Sequence, residues 1–275
     1  MKKASERDKE MGWNYLGILF AVCLVVCLCG FKKYVYFMSI GYGLSVAAIG
    51  VALAVMSVMG IFQAQPAHYV FFILLVIYGF RLSGFLLIRE LKNAAYRKTL
   101  QEATGDEKAM PVFVKITIWL CVGVLYVAQT SPVYFRLLNG GAVSGFVWAG
   151  IAVSAIAILL ETIADQQKSA QKAVRPDKVA TEGLYRIVRC PNYFAEILFW
   201  TGLTISCLDA LSGAGQWITV VIAYICIVFI MFNGAQRLEK RQMARYGNDE
   251  EYKAYADKTP IIIPLLPVYH LNKQK

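Results

Sequence analysis

Long apolar segments separated by short polar loops dominate the pattern of this 275-residue chain. A helix needs about 20 residues to cross a hydrocarbon core of about 30 Å. Spanning segments satisfy their backbone internally, and the alternating pattern of a membrane β-barrel is missing from the sequence, so helices are predicted. The predicted spans are residues 13–31, 35–62, 68–88, 111–130, 142–161, 193–211 and 215–234. The predicted fold class is all-α, a polytopic membrane protein with about seven transmembrane helices.

Composition supports this class, because 58% of the residues are apolar and only 17% are charged. A water-soluble domain of this length would need more polar surface to cover itself. The first span, 13–31, is too long for the core of a signal peptide, and no small-residue cleavage site follows it, so we expect it to be retained.

Basic residues set the predicted orientation, since loops rich in Lys and Arg stay on the cytosolic side. One face receives the first, third and fifth loops and the carboxyl tail, with 21 basic residues against five on the other face. Four of those five lie in the amino terminus and argue for the opposite orientation, but acids are interleaved with them. The carboxyl terminus is therefore predicted to be cytosolic.

The formal net charge of +10 follows from these basic loops, which attract anionic lipid head groups. No run of basic residues is dense enough to indicate a nucleic-acid-binding surface, and none is interleaved with aromatic residues in the way typical of such a surface. Membrane lipid is thus the predicted partner, and nucleic acid is not. The two histidines, His68 and His270, lie near no Cys or carboxylate cluster in the sequence, so no metal site is predicted.

The chemistry is concentrated late in the chain. Residues 1–110 are predicted to be anchor helices 1–3 with a cytosolic loop, and residues 111–275 a catalytic region. That region contains helices 4–7, a cofactor loop at 162–192 and a cytosolic tail at 235–275.

The first informative motif runs from the fifth predicted span into water. At helical spacing, Glu161, Asp165, Lys168 and Lys172 share one face. A solvated helix end held by intrahelical ion pairs would explain the pattern. However, Glu161 directly follows an apolar run of nearly twenty residues, and an ionisable group at such a depth indicates a functional site.

The second motif, residues 181–196, combines two arginines with the start of a helix. Gly183 permits a tight turn and Pro191 suits the first turn of the next helix. Arginine side chains and free amides at a helix amino terminus both favour phosphate. An anionic cofactor at the membrane surface and a loop bound to lipid phosphates explain these residues equally well.

The run Gly183-Leu-Tyr-Arg-Ile-Val-Arg189-Cys-Pro-Asn-Tyr193, followed by Glu196 and Trp200, resembles the signature of steroid 5α-reductase-like membrane enzymes. It is most similar to their bacterial branch, described as a domain of unknown function (DUF1295). The resemblance extends over roughly residues 155–267. It implies a seven-helix bundle that binds NADPH from the cytosol and reduces a steroid or other lipid-like enone. A bacterial inner membrane is the location that it implies.

Carried over by position, the resemblance implies that the cofactor contacts the loop, the facing helices and the tail. The cofactor-binding residues that we predict are Asp165, Lys172, Tyr185, Arg186, Arg189, Asn192, Tyr193, Glu196, Arg237 and Tyr246. Two departures from the family pattern stand out. Cys190 replaces the usual His before the Pro, and the second span has no carboxylate to hold a substrate carbonyl.

The implied reaction transfers a hydride from the nicotinamide to the β carbon of a carbon–carbon double bond conjugated to a carbonyl. An acid near the carbonyl would stabilise the enolate. Tyr78, with Tyr69 as the alternative, is predicted to be that acid, with Arg81 supplying positive field, and Glu161 is the third predicted catalytic residue. An interfacial or packing aromatic is the more common role for such a residue and would also explain Tyr78 in a chain with 16 tyrosines.

Two other functions remain open. Isoprenylcysteine carboxyl methyltransferases have a similar loop and a tyrosine-rich tail but use S-adenosylmethionine, and Glu239 favours them. A non-catalytic lipid-binding protein would explain Cys190 and the missing carboxylate.

The orientation leads to a direct test. In intact cells carrying Lys178→Cys, a membrane-impermeant thiol reagent added outside should leave position 178 unmodified, because the predicted loop faces the cytosol. Permeabilised cells are the positive control. Modification from outside would reverse the topology.

Overall fold

The computed structural model describes residues 2–92, 97 and 110–272, and of residues 2–11 and 13 the backbone alone. All regular secondary structure in these residues is helical, which confirms the predicted fold class. The α-helices are α1 (Lys2–Val26), α2 (Ile40–Val58), α3 (Pro66–Lys92), α4 (Val112–Leu138), α5 (Gly145–Val174), α6 (Pro191–Ile205), α7 (Gly213–Tyr246) and α8 (Glu250–Lys258). Short 3-10 helices occupy Cys27–Phe31, Tyr34–Met38 and Gly183–Arg186.

Within the described residues, six helices are long and apolar enough to cross a membrane. Each of the other six predicted spans overlaps one of these helices, but the predicted span 193–211 is not among them. Its residues form α6, which has only 15 residues and ends at Ile205, about 22 Å of helix at 1.5 Å per residue. A turn at residues 206–210 follows, where buried Arg136 donates to the Ser206 carbonyl at 2.6 Å and to Asp209.

The spanning helices expose apolar side chains where a soluble protein would carry polar ones. On α7, Ile218, Ile222, Ile225 and Phe229 are all more than half exposed. Their spacing of three and four residues places them on one face of the helix. Such a stripe suits lipid as the surrounding solvent.

The chain forms two compact units. The first comprises residues 1–148 and 206–220, and its centre is the pair α2 and α3. A Cβ added at Gly79 would lie 2.1 Å from the carbonyl oxygen of Gly43, so the two backbones touch. Ser83 on α3 also donates to the Ile40 carbonyl at 2.8 Å. Small residues at a helix crossing and interhelical hydrogen bonds are the usual means of packing helices in a membrane.

The second unit comprises residues 149–205 and 221–275. Here α5 and α6 run antiparallel with equally close contact. A Cβ at Gly202 would meet the Ser154 hydroxyl at 2.3 Å and the Gly150 carbonyl oxygen at 2.7 Å. Tyr193, at the other end of α6, packs against α7 at Gly234.

The contact at Gly202 predicts a selective loss of stability. Gly202→Ala should lower the free energy of unfolding by about 1 to 3 kcal/mol, because backbone atoms of α5 must move to admit the methyl group. Gly215→Ala on α7 is the matched control, since nothing lies within 4 Å of its added Cβ. Detergent melting curves of the two variants measure the difference, and equal melting temperatures would contradict the packing.

Candidate functional site

A buried polar cluster joins α5 and α6 where the loop between them ends. The Asn192 side-chain amide donates to the Asp165 carboxylate. The Tyr185 hydroxyl donates to the side-chain oxygen Oδ1 of Asn192 at 3.2 Å. The Tyr185 hydroxyl also lies 3.3 Å from the Ala164 carbonyl oxygen. Burial raises the pKa of Tyr185, so its hydroxyl remains a neutral donor at neutral pH. Three of the predicted cofactor-binding residues are thus in direct contact.

Two more carboxylates lie one helical turn deeper. Because α5 and α6 are antiparallel, the Asp165–Asn192 contact sets Glu161 and Glu196, each four residues away, at the same level of the two helices. Both side chains are buried, at 5% and 4% exposure, and Glu196 accepts a hydrogen bond from the Trp200 indole at 3.1 Å. Three carboxylates therefore lie within about one turn at the end of apolar helices.

Two glutamines of α5 hold the loop in place. Gln167 accepts from the Leu184 amide at 2.8 Å, and Gln171 accepts from the amides of Thr181 and Glu182 at 2.8 and 3.0 Å. Gly183 lies between them with φ of +66°, and a Cβ there would meet the Gln167 side chain at 2.4 Å. The loop can lie this close to α5 only with glycine at that position.

Lys172 and Tyr246, both predicted cofactor residues, are also in contact. The Lys172 ammonium donates to the Tyr246 hydroxyl at 2.9 Å and to the carbonyl oxygens of Lys178 and Pro176. It therefore joins α5, the loop and the end of α7. In contrast, Arg186 and Arg237 extend into solvent.

Arg189 forms the centre of a second buried cluster. Its Nη2 donates to Glu239 on α7 at 2.8 Å and to the Tyr269 carbonyl of the tail. Both side chains of this ion pair are at least 95% buried. Arg189 Nε and Nη1 are also buried. The buried Tyr252 hydroxyl lies beside this guanidinium group and is an acceptor for it.

Glu239 is surrounded by donors of its own chain. Its Oε2 accepts from the amides of Leu271 and Asn272 at 2.9 and 3.0 Å and from the Asn272 side chain at 2.8 Å. His270 lies between two carboxylates, 3.1 Å from Glu239 and 2.9 Å from Asp257. The sequence showed no carboxylate near His270, and only the fold creates this contact.

The tail also pairs with the backbone that precedes α6. The amides of Arg189 and Cys190 donate to the carbonyls of Pro260 and Ile261 at 2.8 and 2.9 Å. Cys190, which replaces the usual histidine, packs in an apolar cluster with Ile197 and Ile262. Burial raises the pKa of the Cys190 thiol to about 12, so it is neutral and unreactive at neutral pH.

Helix α8 is fastened to the same loop. Asp249 caps α8 by accepting from the Glu251 amide at 3.1 Å, and it accepts from Lys178 at 2.6 Å. The Lys178 ammonium lowers the pKa of Asp249, and that carboxylate in turn raises the pKa of Lys178. The Tyr255 hydroxyl of α8 donates to the Tyr185 carbonyl at 2.7 Å. This contact brings the tail directly against the first cluster.

A cleft of about 770 Å³ opens between the end of α7, α8 and the tail. Its walls include Glu239, Tyr252 and His270, with the cations Lys240 and Lys253. This volume lies within the range that small-molecule ligands occupy in proteins.

The remaining predicted site residues belong to the first unit. Tyr78 is fully buried on α3 and donates from its hydroxyl to the Tyr42 hydroxyl at 3.0 Å. Arg81 is half-buried one turn further along the helix, and Tyr69 packs edge-on against Phe72. The catalytic roles of Tyr78 and Arg81 stay predictions.

Several residues that build the site had no predicted role. Gln167 and Gln171 carried a signal, since they are four residues apart and so share one face of α5. Tyr255 and His270 had none, because their partners lie 13 to 70 residues away in the chain.

A family model described as "Protein of unknown function (DUF1295)" matches residues 35–259 of the chain. No curated protein and no solved structure matches the chain. The match includes both motifs and most of the residues of the two buried clusters.

The Arg189–Glu239 pair predicts a large stability effect. Glu239→Ala should lower the free energy of unfolding by about 3 to 5 kcal/mol, because it leaves a buried guanidinium without its counter-charge. Arg241→Ala, an exposed change on the same helix, should stay within about 0.5 kcal/mol of the parent protein. Denaturation in detergent measures the stability of both variants. If Glu239→Ala left the free energy of unfolding unchanged, the ion pair would not be structural.

Proposed function

Because the chain belongs to the DUF1295 family of proteins of unknown function, we propose its activity from the site itself. The protein is a membrane-embedded, NADPH-dependent reductase of a conjugated carbon–carbon double bond in a steroid or other lipid-like substrate. The observation that carries this proposal is the pair of buried carboxylates, Asp165 and Glu196, on α5 and α6 at the end of the loop that contains Arg186 and Arg189.

The acceptors suit the donor-rich half of the cofactor. A carboxylate can accept about four hydrogen bonds, so its contacts within the protein and a contact with a ligand are compatible. Asp165, Glu196 and the Asn192 amide would hold the carboxamide and ribose hydroxyls, which donate such bonds. Buried polar groups at a membrane depth are costly, and they indicate function when they converge in this way.

The donors suit the anionic half. Arg189 Nε and Nη1 are buried with the Tyr252 hydroxyl beside them, and a buried donor with incomplete hydrogen bonding costs about 1 to 3 kcal/mol. A phosphate oxygen would satisfy them, and exposed Arg186 on the same loop would add a second cation. The cleft beside Glu239 leaves room for the rest of a nucleotide.

When bound, NADPH would supply the hydride for the β carbon of the substrate. The chain's part is to hold the cofactor, exclude water and provide the balancing proton to the α carbon. Glu161 lies deepest of the ionisable residues of α5 and is the proposed contact with the reacting groups. Tyr78 and Arg81 are the predicted proton donor and the cation that assists it.

The methyltransferase is the alternative that we favour less. Glu239, which favoured S-adenosylmethionine, directs both oxygens to donors of the chain itself. A non-catalytic lipid-binding protein would not need three buried carboxylates on α5 and α6. We propose a bacterial inner membrane as the location, with the hydrophobic substrate reaching the site from the lipid.

Substitution of the acceptors tests the proposal. Asn192→Ala and Glu196→Ala should each weaken NADPH binding by about 1 to 3 kcal/mol per lost hydrogen bond, roughly 5- to 150-fold. The measurement is an NADPH titration of purified protein beside a detergent melting curve. Thr201→Val on α6 is the control, since its hydroxyl contacts Tyr224 and should affect stability alone.

The outcomes separate the three functions. Unchanged NADPH affinity with a large melting shift would make Asn192 and Glu196 structural and remove the assignment. Binding of S-adenosylmethionine instead of NADPH would support the methyltransferase, and binding of neither would support the lipid-binding protein.

A further inference from the structure

The carboxyl tail contains an unusually apolar stretch for a segment that follows a charged helix. Residues 260–268 read Pro-Ile-Ile-Ile-Pro-Leu-Leu-Pro-Val, with no side chain that can carry a charge or donate a hydrogen bond. Within it, Leu265 is 97% exposed and Leu266 is 48% exposed. We call residues 263–268 the tail loop. In water, two adjacent exposed leucines would be unfavourable.

The backbone at the tip of the tail loop is strained. Leu265 has φ of +66°, and among the described residues no other non-glycine residue has a positive φ. The left-handed region is unfavourable for a side chain with a Cβ, and leucine lacks the local hydrogen bonds that let Asn or Asp adopt it. A strained residue that projects a large apolar side chain outward indicates a function for that side chain.

The packing of the tail locates the loop at the membrane boundary. Ile261 and Ile262 are fully buried in a cluster with Ile197 of α6 and Ala235 of α7, and Val228 and Phe232 pack against that cluster. Both Val228 and Phe232 lie inside the predicted span 215–234. The tail therefore returns from the charged helix α8 to the level where α7 leaves the hydrocarbon core.

The backbone presents the tail loop as a rigid projection. The Ile261 amide donates to the Val268 carbonyl at 2.8 Å and closes the loop at its base. Arg189 and Cys190 hold the preceding residues through their amides, and Pro264 and Pro267 restrict the chain between. The two leucines thus cannot fold back onto the protein without breaking these bonds.

We propose that the tail loop is an interfacial anchor, which inserts Leu265 and Leu266 into the lipid leaflet on the side of the carboxyl tail. The occupant of this surface is the bilayer that already surrounds the spanning helices. Three exposed basic residues are available to the phosphate head groups: Arg237 and Arg241 near the end of α7, and Lys258 at the end of α8, shortly before the tail loop in sequence.

The anchor acts on the same segment that encloses Arg189. Directly after the loop, Tyr269 accepts from Arg189, and the amides of Leu271 and Asn272 bind Glu239. Contact with lipid therefore stabilises the tail in the position that closes this buried pair. This inference does not depend on the proposed enzymatic activity.

Depth-dependent quenching tests the anchor. Leu265→Cys and Ala254→Cys are each made in a chain with Cys29, Cys121 and Cys226 replaced by Ala, since these are the cysteines that are not buried. Each is labelled with an environment-sensitive fluorophore and reconstituted in vesicles of phosphatidylcholine and phosphatidylglycerol. Ala254 is exposed on α8 and is the matched control. Nitroxide-labelled lipid should quench the fluorophore at 265 and not at 254, with emission at 265 shifted to shorter wavelength.

Two results would overturn the anchor. Water-like emission at 265 equal to that at 254 would place the tail loop in solution. Short-wavelength emission at 265 without quenching by nitroxide lipid would mean that protein, such as a second copy of the chain, covers the loop. Leu265→Gly removes the strained side chain and should melt no lower than the parent in detergent, which separates insertion from folding.

Discussion

The buried ion pair of Arg189 and Glu239 is the interaction on which the second unit depends. It joins the loop before α6, the carboxyl-terminal end of α7 and the tail, three segments that lie 30 or more residues apart in the chain. Desolvating two charges is expensive, and the attraction offsets that expense only when further hydrogen bonds satisfy the remaining groups. Glu239 meets this condition with donors from Arg189, Leu271 and Asn272. Arg189 donates to Glu239 and Tyr269 and lies beside the buried Tyr252 hydroxyl.

The position of the loop follows from the same arrangement. Held by Arg189 at one end and by Gln167 and Gln171 on the other side, the loop presents Tyr185 to Asn192. The polar cluster on α5 and α6 is thereby closed by protein where the helices leave the membrane.

The tail links this closure to the membrane. Residues 260–262 pair with the start of α6 and pack against α7, and the residues that follow the tail loop bind Glu239. Lipid contact at Leu265 and polar contact at Glu239 therefore act on one short segment. A covalently continuous segment fixed at two points is less free to move than one fixed at either point alone.

The sequence by itself determined the features that depend on the average hydropathy of neighbouring residues and on local motifs. Apolar runs of about 20 residues identify membrane helices, because transfer into lipid sums over neighbouring residues. The all-helical fold and the family followed from such runs and from the motif at 181–196. The end of the sixth helix did not, since hydropathy continues past Ile205 while the backbone turns at 206–210.

Only the tertiary structure decided how the polar residues are paired. The sequence assigned Arg189 to phosphates and Glu239 to a rival cofactor, but packing placed them 2.8 Å apart. It joined Asp165 to Asn192 as well, across 27 residues of chain. Hydrogen bonds act over about 3 Å and depend on direction, so partners distant in the chain are selected by the register of packed helices. No local pattern contains that register.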